Sequence, residues 1–233
     1  RNQAIKCAKS EWIAFLDDDD KFMPNAVAVM KEELVHIPDT FAVAYFNSHI
    51  ETLIETFEGG FKFDSSSSSN SNPKQKFFDP TYEQTMTKFG LNGDCKVVLK
   101  KDVCTKEGYW FPEIVNGFES NFFNLIARDG KKIRYYNHVL THVYIKNEAP
   151  HLSFTAAKKN PKGFLYLNRQ QLYLHRDFFL SHQDFLYMKY LEIFKLSIRA
   201  KNLKVIFVSL FGAVCAKFQL FSSSIKNLPG GVK

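Results

Sequence analysis

Four consecutive carboxylates, Asp17-Asp18-Asp19-Asp20, follow directly on the apolar run Trp12-Ile13-Ala14-Phe15-Leu16. Like charges this close repel, so a fold that keeps them together needs a nearby cation, protonation, or full exposure to water. An apolar run that ends abruptly in acids reads as a buried strand whose C-terminal end opens into a site. Before it, Arg1 to Lys9 reads as a helical segment with Ala4, Ile5 and Ala8 on one side. After it, Pro24 begins a helix through Ala26, Val27, Met30 and Leu34 that stops before Pro38. Helix, strand, acidic loop and helix in that order point to an α/β fold.

The acidic run has two chemical readings. A hard divalent ion, Mg²⁺ or Mn²⁺, takes one or two carboxylates and completes its shell with water and substrate phosphates. Alternatively the run is a solvated loop at the positive end of the helix that follows. The strand before and the helix after favour the metal. Ca²⁺ held structurally by an acidic loop is a third reading.

Further along, Thr40 to Ser48 and Ile50 to Phe57 read as two strands rich in β-branched and aromatic residues. Asp64 to Pro73, almost all serine and asparagine, is a low-complexity surface insertion that cannot bury apolar area. Cys95 to Lys101 is strand-like, and Gly108 to Pro112 is a turn loaded with aromatics. Gly117 to Asp129 reads as a helix with Phe122, Phe123, Leu125 and Ile126 inward, Glu119 in its first turn and Gly130 as its C-cap. A strand from Ile133 to Ile145 follows, and from Phe164 the pattern is helical. In Asp184 to Arg199 the charge spacing leaves Phe185, Leu186, Met188, Leu191, Phe194 and Ile198 as the apolar face.

With 45% hydrophobic and 24% charged residues, the chain is neither disordered nor a multi-span membrane protein. Cys7, Cys95, Cys104 and Cys215 are widely spaced with no paired motif, so a disulfide framework and a zinc module are not indicated and the cytoplasm is the expected compartment. The net charge of +7 is confined to the end of the chain. After Glu192 there is no Asp or Glu, while Lys195, Arg199, Lys201, Lys204, Lys217, Lys226 and Lys233 are all cationic. An anionic membrane fits this apolar, basic tail better than nucleic acid does. Val205 to Ala216 is uncharged but far shorter than the roughly 20 residues of a spanning helix, so the tail reads as an interfacial helix or a homodimer contact. The expected location is the cytoplasm, peripheral on the inner face of the plasma membrane if the tail meets lipid; packing of the tail on the catalytic domain is the alternative.

The segment from Arg1-Asn2 through Ser10-Glu11 and Leu16-Asp17-Asp18-Asp19-Asp20 to Pro24 resembles the central part of the family 2 glycosyltransferases of the GT-A fold. The resemblance extends more weakly through Val98-Leu99-Lys100-Lys101, Gly108-Tyr109-Trp110, Gly117-Phe118-Glu119 with Phe122-Phe123, and Gly130-Lys131-Lys132-Ile133. It implies a GT-A-like domain over residues 1–153, a Rossmann-like mixed sheet flanked by helices and lacking its first strands, followed by a helical extension over 154–233. The family's first strand and base-contacting acid are expected upstream of Arg1.

The resemblance further implies a hexosyl-type, inverting transferase that moves a sugar from a nucleotide diphosphate donor, a UDP-sugar, to a glycan or lipid-linked glycan in surface polysaccharide or lipo-oligosaccharide assembly. By position, Arg1, Asn2, Asp17 and Asp18 face the donor, and Asp19 and Asp20 belong with a Mn²⁺ or Mg²⁺ ion. Glu119 takes the position of the catalytic base, although Phe118-Glu119-Ser120 leaves one carboxylate where the family has two. A first-turn helix acid is the alternative for Glu119. The rival for the whole chain is a non-catalytic, truncated GT-A-like module that binds a membrane or a partner. His138, His142, His151, His175 and His182 show no metal-ligand spacing. Tyr109 and Trp110 suit either a sugar face or the core.

Overall fold

In the computed structural model the described residues are 1–52, 56–61, 76–87, 91–92, 95–112, 119–145 and 159–226. The serine-rich run, Asp94, Gly117-Phe118, residues 146–151 and the 153/154 boundary lie outside them. The chain divides into two compact units. One comprises Arg1–Phe111 with Phe122–Ala149, and the other Pro112–Asn121 with Pro150–Lys233.

The first unit is built on two long parallel strands, β3 (Phe41–Thr52) and β8 (Lys132–Ile145). The outer edge of β3 carries β7 (Cys95–Lys100) along its first half and β4 (Thr56–Phe61) along its second, both antiparallel. Beyond them lie β1 (Trp12–Ala14) on β7 and β6 (Leu91–Asn92) on β4. The outer edge of β8 carries β5 (Phe77–Phe78) and, nearer its C-terminal end, β2 (Lys21–Phe22). Because β7 is antiparallel to both β1 and β3, the strands β1, β3 and β8 all point the same way.

Alternation along these strands fills two apolar layers. On one side Val43, Leu99, Ile133 and Tyr135 pack with Ile5 of α1 (Asn2–Cys7), Val103 and Cys104 of α4 (Lys101–Thr105), and Phe122, Phe123 and Ile126 of α5 (Glu119–Arg128). On the other, Ala44, Phe46, Val98, Tyr136 and Leu140 cover Ala26 and Met30 of α2 (Ala26–Val35). Stacked cross-strand pairs mark the two faces, Tyr45 on Tyr135 at 4.7 Å and Phe46 on Tyr136 at 4.9 Å between ring centroids. A further short helix, α3 (Tyr82–Thr87), follows β5.

One expectation is corrected here. Thr40 to Ser48 and Ile50 to Phe57 are not two strands: β3 runs unbroken to Thr52, and the next strand begins at Thr56. The polar pair Asn47-Ser48 marks register shifts against β8 rather than a turn. Both side chains are buried and satisfied, Asn47 donating to Asn137 Oδ1 at 3.2 Å and Ser48 sharing a 2.7 Å hydroxyl hydrogen bond with Thr141.

The described part of the second unit is helical after residue 158: α6 (Pro161–Leu174), α7 (Arg176–Ser181), α8 (Gln183–Arg199) and α9 (Leu203–Lys226). Asn160 caps α6 by accepting from the Gly163 amide at 3.0 Å, with Pro161 in the first turn. Leu165, Ile193, Leu196, Ala200 and Val205 form its core. The apolar face expected on Asp184–Arg199 is also corrected. Leu186, Ile193, Leu196 and Ser197 are buried, while Met188 and Ile198 are 62% and 50% exposed. The buried line is set by where α6 and α9 lie against α8, a tertiary fact that charge spacing does not carry.

Candidate donor site

The acidic run is the link between β1 and β2, and so carries the chain from one side of the central β3–β8 pair to the other. It leaves the C-terminal end of β1 and is received beside the C-terminal half of β8. In α/β sheets this end of the strands is where ligands gather. The Asp20 amide donates to the Asp17 carbonyl at 3.1 Å, closing the run into a turn.

Asp17 is exposed and meets the Arg1 guanidinium at 3.4 Å. Arg1 lies over the rings of Phe15 and Phe111, 6.0 and 5.7 Å from their centroids, and these two rings pack edge to face at 5.7 Å. Asn2 fixes this arrangement. Its Nδ2 donates to the Phe111 carbonyl at 2.8 Å, and its Oδ1 accepts from the Phe111 amide at 3.1 Å. Both edges of the Asn2 amide are therefore engaged by backbone, so the residue expected at the nucleotide positions Arg1 and Phe111.

Asp20 turns the other way. Its side chain, 9% exposed, lies 3.6 Å from the Nζ of Lys96, itself 8% exposed, on the β7 face that also carries Val98. Burial raises the Asp20 carboxyl above its usual range, Lys96 pulls it down, and Asp17 and Asp19 push it up. Asp18 and Asp19 are exposed and make no hydrogen bond or ion pair among the described residues.

The four acids are thus unequal. One is neutralised inside, one is held by an arginine at the rim, and two stand open. No group of three or more His, Cys, Asp and Glu side chains arranged to hold a metal occurs among the described residues. An ion bound here would take one or two carboxylates and draw the rest of its shell from phosphates and water, a donor set that suits Mg²⁺ or Mn²⁺. Asp19, exposed and making no ion pair among the described residues, fits that requirement; Asp20 is directed at Lys96.

Glu119, the remaining expected site residue, is half-buried in the first turn of α5, where its carboxylate meets the positive end of the helix. Tyr109 is a core-side residue: its hydroxyl donates to Asp129 at 2.7 Å, and burial with that carboxylate pushes it up to about 12. Trp110 stays at the surface with the Lys6 ammonium 5.4 Å from its ring centroid, in an open cleft of about 650 Å³ that also touches Lys9, Glu11 and Lys101. His138 and His142 are carboxylate partners, of Glu33 at 2.9 Å and Glu51 at 2.8 Å.

Residues 1–101 match the family model described as glycosyl transferase family 2. That match supports a family 2 glycosyltransferase domain over this segment. Its mixed sheet with helices on both faces, and the acidic turn at the C-terminal end of β1, agree with the GT-A-like fold. No curated protein matches the chain.

Sequence reasoning missed Lys96, Phe15 and Phe111 as neighbours of the acidic turn and of Arg1. Lys96 had a signal: a cation at an inward position next to the apolar run Val97-Val98-Leu99 demands a buried partner. The pairing of Asn2 with the Phe111 backbone, 109 residues away, had none.

Proposed function

We propose that this glycosyltransferase domain moves a hexosyl group from a UDP-sugar to a hydroxyl of a glycan or lipid-linked glycan, with inversion and with help from Mn²⁺ or Mg²⁺. Assembly of a surface polysaccharide or lipo-oligosaccharide is the setting, and an acceptor carried on a lipid brings the enzyme to a membrane surface. The observation that carries the reading is the acidic turn at the C-terminal end of β1, inside the segment that matches the family.

In this reading Arg1 and Asp17 border the nucleoside and Asp18 lies beside them at the rim. Asp19 would hold the metal, and Asp20 holds the turn against Lys96. A bound divalent ion would neutralise charge on the departing diphosphate. Glu119 accepts the proton of the acceptor hydroxyl as its oxygen bonds to the anomeric carbon, and the bond to the diphosphate breaks with its electron pair leaving on the nucleotide. A single displacement of this kind inverts the anomeric configuration. The protein's own contribution is positioning and electrostatics.

Thermal unfolding with UDP or GDP, each with and without Mn²⁺, tests the reading. Near-saturating ligand at a hundredfold excess over its Kd stabilises by about 2.7 kcal/mol, or several degrees for a chain of this size. Stabilisation that requires nucleotide and metal together is the expected result. A response to metal alone assigns the turn to a structural cation, and no response under any condition assigns the chain to the non-catalytic module.

A further inference from the structure

The last helix of the second unit, α9, has two apolar faces of different character. Val205, Ser209, Ala213 and Ala216 are all at most 8% exposed and form the side that packs within the helical unit. The opposite side is larger and bare. Leu203, Phe207, Phe211 and Phe218 are 70%, 70%, 72% and 69% exposed, with Leu210 and Val214 half-exposed between them. Spacings of three and four residues put these six on one continuous stripe. A contiguous patch of this kind marks a contact surface.

The charges on its margins select the occupant. Lys204 borders the stripe on one side and Lys217 on the other, with Lys201 at its start, and no acid follows Glu192 anywhere in the chain. A second copy docked face to face would bring these lysines against their own counterparts. An anionic leaflet instead attracts them while the rings enter the headgroup boundary, and long lysine side chains can reach the phosphates from beside an apolar stripe. Among the described residues no helix is long and apolar enough to cross a membrane. We infer that α9 lies in the plane of an anionic lipid surface, inserting Leu203, Phe207, Phe211 and Phe218 with Lys204 and Lys217 at the headgroups. This inference needs neither nucleotide nor metal, so it stands or falls apart from the transfer reading.

Co-sedimentation of the full chain with phosphatidylcholine vesicles, and with vesicles in which about one third of the lipid is phosphatidylglycerol, tests it. The chain should pellet preferentially with the anionic vesicles. The triple variant Phe207→Ser, Phe211→Ser, Phe218→Ser should stay in solution at unchanged helical circular dichroism, because all three side chains point away from the core. The double variant Lys204→Gln, Lys217→Gln, at two exposed positions of which Lys217 also lies 5.2 Å from the Tyr187 ring centroid, should lose roughly tenfold in partitioning to anionic vesicles, respond less to added salt and keep its helical circular dichroism. Failure of the unaltered chain to pellet, or pelleting of the triple variant at the original level, overturns the inference. So does concentration-dependent dimerisation that the triple variant abolishes without any vesicle binding, which would give the stripe to a second copy.

Discussion

Lys96 Nζ lies 3.6 Å from Asp20 Oδ2, with both side chains less than a tenth exposed. The last acid of the turn is thereby tied to a strand of the central sheet. Removing the cation leaves a buried carboxylate with only repulsive neighbours, a change that costs about 3 kcal/mol at neutral pH. Lys96→Met should show that loss in chemical denaturation. The pH dependence has a definite sign. The Asp20 carboxyl is already raised in the folded protein, so its contribution to stability falls as pH climbs from the ordinary 3.8 through the folded value. Without Lys96 the rise is larger, so the deficit of Lys96→Met against the unaltered chain should grow from acid to neutral pH. A deficit independent of pH would mean that lost packing, not lost charge, dominates. Asp20→Asn combined with Lys96→Met should recover much of the loss.

Asp19 and Glu119 should separate in binding and turnover. Asp19→Ala removes an exposed carboxylate that makes no hydrogen bond or ion pair among the described residues. It should leave the unfolding temperature within a degree or so while weakening metal-dependent UDP binding at least tenfold in calorimetry. Glu119→Gln should keep nucleotide binding and lower transfer by a factor of roughly 10² to 10⁴, the usual worth of a general base. Equal turnover in Glu119→Gln would return that residue to the helix-end role.

The local structure around the acidic turn was legible because its signals are local. The apolar run, the acids and the proline sit within two dozen residues, and their order alone dictates strand, turn and helix. What escaped is what the fold adds at long range. Asn2 clamping Phe111 and Lys96 answering Asp20 join residues from separate strands and loops, and no periodicity announces such partners. The sequence reads as two strands that part at residue 49, whereas β3 runs on because the polar pair Asn47-Ser48 finds partners in β8 that let it stay buried. The buried face of α8 escaped for a related reason: amphipathic patterning identifies a helix better than it identifies which neighbours cover it.

Arg134 is a case where a conservative change should not be tolerated. Its guanidinium makes two parallel hydrogen bonds to Asp79, at 2.7 and 2.8 Å, and lies 3.7 Å from the Phe77 ring centroid and 4.3 Å from that of Phe41. This fork holds β5 on the edge of β8. Lysine keeps the charge but loses the paired geometry and the planar stacking. Arg134→Lys should cost about 1–2 kcal/mol, and hydrogen exchange should show faster opening at Phe77 and Phe78 than elsewhere in the sheet.

The α8–α9 corner makes two predictions of opposite sign. Lys201 sits at φ 53, in the left-handed region, where the Lys201 amide donates to Ile198 and the Asn202 amide to Ser197 to close the end of α8. Asn202 then caps α9 through the Val205 amide at 3.2 Å. Glycine carries no Cβ penalty at such a position, so Lys201→Gly should stabilise by about 0.5–1 kcal/mol. Gly212 is the reverse case: a Cβ there would come within 2.5 Å of the Tyr190 ring, so α9 approaches α8 as closely as it does only because the side chain is missing. Gly212→Ala gains about 1 kcal/mol in helix propensity, but the ring of Tyr190 must move, and overpacking of this sort costs about 1–3 kcal/mol. Net destabilisation is expected, and Tyr190→Ala in the same chain should relieve the clash and turn Gly212→Ala into a stabilising change. Thermal unfolding of the unaltered chain, the two single variants and the double variant measures that coupling directly, and additivity of Gly212→Ala and Tyr190→Ala would show that the two helices have room to separate.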